Sequence, residues 1–158
     1  DLRVGRCQWS RLPPVERTVS FGRWLAPALD GTLCDEAGEP LPGVPRLPVD
    51  LIGWETVSFG VPGRGAEFID KQQGVAEYLA AALPWVGVNP RTLKAFATGD
   101  GGADKAGMIA AARYGMAVLG TPAPERLSSD AADAFLVLAF LLVNHVRGWT
   151  PPEQRRGP

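Results

Sequence analysis

Apolar residues recur along this chain in two alternating periods. Leu51, Ile52 and Trp54 make a short apolar run over 50–57, and Trp85–Val88 makes another. Both predict buried strands. Val19, Phe21, Trp24, Leu25 and Leu29 fall near helical spacing and predict a helix over 16–29. Pro27 stands late enough in that run to kink or shorten it. Phe68, Val75, Tyr78 and Leu79 mark the apolar face of a helix over 65–83. Pro90 suits the first turn of a short helix over 91–97. Helices are also expected over 103–116 and 128–146, the last with Ser129 as N-cap and Asp130 and Asp133 in its first turn. Val4 to Trp9 reads as a short strand ended by Pro13 and Pro14.

The stretches between are Gly- and Pro-rich. The segment 30–48 predicts a long loop with a small hairpin, and a glycine-rich turn spans 98–102. Strands alternating with helices give an α/β fold. The expected organisation is one domain over 1–147 and a Pro- and Arg-rich flexible tail over 148–158. No apolar run is long enough to span a membrane, and no leader sequence is visible. Two cysteines and one histidine, Cys7, Cys34 and His145, argue against a zinc site and for reduced thiols in a cytoplasmic protein. Trp54 and Trp85 are expected in the core, and Trp149 in the tail is the exposed candidate for base stacking.

The formal net charge of −1 changes the picture, because proteins that grip phosphates usually carry a basic surplus. The surplus here is local. Between 88 and 115, Arg91, Lys94, Lys105 and Arg113 stand against only Asp100 and Asp104.

Three acids form the candidate chemistry. Glu55 ends an apolar strand, where ligands collect in open α/β sheets. Asp130 and Asp133, three residues apart, share one helix face. Such carboxylates can hold Mg²⁺ or Mn²⁺ through oxygen ligands. Two ions about 3.5–4 Å apart would clamp the attacking and leaving oxygens of a phosphodiester. The same acids could instead only stabilise a helix dipole, and Lys94 and Lys105 could be solvated.

Longer strings carry a resemblance. Asp130-Ala131-Ala132-Asp133-Ala134, Asp50-Leu51-Ile52-Gly53-Trp54-Glu55, and the run from Arg91 through Lys94 and Gly99-Asp100-Gly101-Gly102-Ala103 to Lys105 together resemble the RuvC family of Holliday-junction resolvases. The phage-type branch is the nearest in pattern. The resemblance implies an RNase H-like fold, with a mixed central sheet flanked by helices. It implies a Mg²⁺-dependent endonuclease that cuts four-way or branched DNA as a homodimer. Glu55, Asp130 and Asp133 would be the metal ligands. Lys105 would join them in catalysis, and Lys94, Lys105, Arg91 and Arg64 would contact DNA.

The family's opening strand, which carries its first catalytic Asp, has no counterpart here. Asp1-Leu2 could be its remnant, so the first strand is expected to be missing or altered, or to lie upstream of a fragment. A non-catalytic DNA-binding module of the same fold therefore stands as an alternative. An RNase H-like nuclease acting on another nucleic acid is a third reading.

Overall fold

The computed structural model describes residues 13–35, 38–56, 74–79, 81 and 83–146. Its elements alternate as the apolar pattern predicts: α1 (Pro14–Leu29), β1 (Ile52–Glu55), a helical stretch over 74–79, β2 (Trp85–Val88), α2 (Pro90–Thr98), α3 (Lys105–Val118) and α4 (Ser129–His145). The expected strand over 4–9, the loop glycines 60–65, the first part of the helix expected over 65–83, and the tail lie outside the described residues.

β1 and β2 pair in one sheet. Ile52 N donates to Pro84 O at 3.0 Å, and Thr56 N donates to Val88 O at 2.8 Å. Four residues along one strand match four along the other in the same direction, so the pair is parallel.

The chain divides into two compact units. One contains 53–56 and everything described from 86 onward. Here α3 packs on α4, and α2 packs on both. Val88, Leu93, Met116, Phe135, Val137 and Leu141 are buried at its centre. Close approach is allowed at two glycines. A Cβ at Gly115 would stand 2.8 Å from the Phe135 ring, so α3 and α4 meet almost backbone to side chain. A Cβ at Gly53 would stand 2.5 Å from Leu141 Cδ1 and 3.0 Å from Val137 Cγ1, so β1 lies directly under α4.

The other unit holds α1, the loop after it and the stretch over 74–79. Pro27 does not end α1, which runs two residues further to Leu29. The hairpin expected within 30–48 is present in small form. Cys34 and Pro40 make an antiparallel bridge, and Leu41 N donates to Leu33 O at 2.8 Å. Cys34 is a buried free thiol. Gly31 takes φ 82°, and the loop returns to it where Leu47 N donates to Gly31 O at 3.0 Å.

Several expectations need correction. Tyr78 is not on the apolar face of its helix, being 82% exposed, while Ala76 is buried. The buried side of that helix is rotated toward its small residue. Trp85 is 46% exposed rather than a core residue. Asp104 caps α3 by accepting from Gly107 N at 2.8 Å, so that helix begins at Lys105 and not at 103. Ser128, not Ser129, caps α4, accepting from Ala131 N at 3.2 Å.

Gly53 is the tightest constraint on the seam between β1 and α4. Gly53→Val should destabilise the protein by about 1–3 kcal/mol, the usual cost of overpacking a filled core. Urea denaturation would measure it, and an unchanged midpoint would show that the seam can open without cost.

Candidate functional site

The face of α4 that lies on β1 is a single stripe. Leu141 and Val137 are buried against Gly53, and Asp133 and Asp130 continue the same stripe toward the helix N-terminus. On the strand, Gly53 and Glu55 share one side because side chains alternate. Trp54 and Thr56 take the other side, where a Cβ at Gly87 would meet Thr56 Cγ2 and Trp54 Nε1. The apolar seam therefore ends at the strand's C-terminal residue in a group of carboxylates.

Glu55, Asp130 and Asp133 line one cavity of about 350 Å³, together with Gly53, Trp54, Ala134 and Val137. The three acids singled out in the sequence are thus brought together. Partial burial of its carboxylate and then repulsion from Asp133 raise Glu55 above the ordinary carboxylate range, with Lys94 acting in opposition. Partial burial and then repulsion from Asp130 raise Asp133, with Lys94 and Lys105 opposing. Both lysines are therefore close enough to act on the acids. Lys94 is half-buried, whereas Lys105 is exposed at the start of α3.

The glycine-rich string between the lysines is a turn, as its composition allows. Gly99 closes α2 in the left-handed conformation, with φ 81° and its N–H on Ala95 O. Asp100 Oδ1 then accepts from Gly102 N at 2.8 Å. Thr98 Oγ1 donates to Lys94 O at 2.9 Å and accepts from Asp100 N at 3.1 Å. This short connection holds the end of α2 against the start of α3, and so fixes the spacing of Lys94 and Lys105.

Arg91 takes a different position. A Cβ at Gly101 would stand 2.8 Å from Arg91 Cγ, so the arginine lies along the turn. Arg64 and Asp1 fall outside the described residues. His145 is exposed at the end of α4, with its ring 5.9 Å from that of Phe140, far along the helix from the acids.

Among the described residues, no three His, Cys, Asp or Glu side chains close on a single point as a finished metal cage. The carboxylates instead ring an open cavity. Their chemistry suits a hard divalent cation: oxygen donors only, with Glu55 and Asp133 partly desolvated and Asp133 repelled by Asp130.

A search of solved structures returns a Thermus thermophilus RuvC structure. Its TM-score is 0.56 at 20% identity, covering 85% of this chain and 72% of that one. The fold is that of RuvC. This RuvC-like, RNase H-like α/β fold is the one the sequence resemblance implies. No family model matches the sequence, and no curated protein matches it. No described helix is long and apolar enough to cross a membrane.

What sequence reasoning missed is Gly53. A lone glycine within an apolar strand run signals a close backbone approach, and that signal was available.

The raised acids have a consequence for stability. Glu55 and Asp133 hold their protons more tightly in the fold than in the unfolded chain. They favour the fold at acidic pH and lose that contribution as pH rises through their folded values. At neutral pH without metal, Glu55→Gln or Asp133→Asn should therefore raise the urea midpoint. The gain should fade toward about pH 4, where the native carboxyls are themselves protonating. Denaturation in EDTA at several pH values tests this, and a midpoint lowered by both substitutions would contradict it.

Proposed function

We propose that this chain is a metal-dependent endonuclease that cuts branched DNA such as a Holliday junction. The observation that carries the reading is the joining of Glu55, Asp130 and Asp133 around one cavity, with Lys94 and Lys105 acting on the same carboxylates, on a RuvC-like fold. The nuclease domain would occupy 1–147, with 148–158 as a tail. The likeness to the phage-type branch belongs to this proposal, as do Mg²⁺ dependence and action as a homodimer. Two-fold symmetry suits paired cuts across a four-way junction.

Glu55, Asp130 and Asp133 would hold Mg²⁺ or Mn²⁺ as anionic oxygen donors. A bound Mg²⁺ supplies positive charge at the phosphodiester and lowers the pKa of a ligated water. Lys94, half-buried beside Glu55 and Asp133, opposes the upward shift of both acids and so favours their ionised, metal-binding form. Lys105, exposed at the start of α3, is the better placed of the two to reach a phosphate oxygen from solvent. Arg91 would meet the DNA backbone farther along the turn, and Arg64 remains a candidate contact from the sequence alone.

The test is cleavage of a labelled four-way junction with Mg²⁺. The native chain should nick it symmetrically, and Asp130→Asn should abolish cutting. Lys105→Ala should lower the cleavage rate by roughly 10²-fold, the usual loss for one charge-stabilising group. Junction binding without cleavage by the native chain would favour the binding-module reading.

A further inference from the structure

Lys94 stands where a packed helix ordinarily carries an apolar side chain. Along α2 the inward residues are Pro90, Leu93, Lys94 and Ala97, and every other residue of the helix is exposed. That is the i, i+3, i+4, i+7 stripe of a helix laid on a core. Leu93 in the same stripe is fully buried, and α2 packs on both α3 and α4. A half-buried ammonium on such a face needs anions to compensate for the water it has lost. Glu55 and Asp133 meet that need, since the charge of Lys94 acts on both. No ion pair closes between Lys94 and either acid, so the carboxylate oxygens stay free to ligate a cation. Lys105 differs, being exposed at the start of α3, where water and salt screen its charge.

We infer that the Lys94 ammonium takes the part of a second metal ion, so that Glu55, Asp130 and Asp133 hold a single divalent cation. This inference rests on the proposed nuclease function and sets its metal requirement. Three carboxylates around the cavity and one ammonium beside them carry a formal charge of −2, which one divalent ion balances. A second divalent ion would make the group positive. Charges of one sign repel more strongly in a partly desolvated cavity than in water. The scissile phosphate brings one further negative charge, and Lys105 is placed to meet it from solvent. The helix also fixes where Lys94 stands. Buried Leu93 precedes it, and its own carbonyl accepts from Thr98 Oγ1 at 2.9 Å.

The bound ions are counted by titrating Mn²⁺ into the full chain without DNA, using calorimetry and the loss of the free-ion paramagnetic resonance signal. The native chain should bind one ion. Lys94→Met keeps an apolar stem on the inward stripe and removes the charge, and it should bind two. Lys94→Arg keeps the charge and should bind one. Single-turnover cleavage of the four-way junction gives a second readout. At limiting Mg²⁺ the native rate should rise with the first power of metal concentration, and the Lys94→Met rate with the second power.

Two ions in the native chain, or a second-power dependence of its rate, would overturn the inference and leave the nuclease function standing. A single ion in Lys94→Met would also overturn it, because the acids would then hold one ion with or without the ammonium. The native count and rate order decide the matter even if Lys94→Met does not fold. A native chain that binds no Mn²⁺ would overturn the metal-dependent proposal and the inference with it.

Discussion

The seam between β1 and α4 at Gly53 is the constraint on which the site depends. Because Gly53 has no side chain, Leu141 and Val137 can press onto the strand. Their stripe continues along the helix as Asp133 and Asp130, so burying the apolar part carries the two acids to the end of the strand that bears Glu55. Hydrophobic packing thus forces together three carboxylates that repel one another. Burial first, and repulsion between the acids second, raise the affinities of Glu55 and Asp133 for protons. A fold selected for stability alone would place neutral residues there.

The lysines show how a chain of net charge −1 can still present positive charge locally. Asp100 and Asp104 lie in sequence between Lys94 and Lys105, and on a simple count would cancel them. Each is used by the backbone instead. Asp100 closes the turn through Gly102 N, and Asp104 caps α3, where the helix dipole favours an anion. The two cations act on Glu55 and Asp133, with Lys94 opposing both shifts and Lys105 opposing one. Net charge alone does not report this separation of roles.

Much of this was legible before any coordinates. The strand over Trp85–Val88 follows from its apolar run, and the helix behind Pro90 follows from proline's fixed φ. The acids were found because their types and spacing limit the possible chemistry. Their convergence was not derivable, since it depends on one helix crossing one strand at a glycine. Tyr78 and Trp85 were misplaced for a common reason. An apolar pattern reports which residues favour burial, and large aromatic residues, amphipathic in Tyr and Trp, often stay partly on the surface. The cap at Ser128 was missed by one residue because Ser128 and Ser129 are both acceptable caps by type, and only backbone geometry separates them.

The dimensions of the site bear on how a branched substrate would be chosen. A cavity of about 350 Å³, ringed by acids and walled by alanine, valine and a glycine, can hold one backbone unit. Apart from the carboxylates, Gly53, Ala134 and Val137 bring no polar side chain to it, so under the proposed function it would contact the backbone and not read sequence through side chains. A continuous duplex is a poor fit, because both neighbours of the cut phosphate would remain stacked. At a branch, the strands diverge and a single backbone can enter. Selection for junctions would then arise from the chemistry of a small site, with charged surfaces serving mainly to bring the DNA to it.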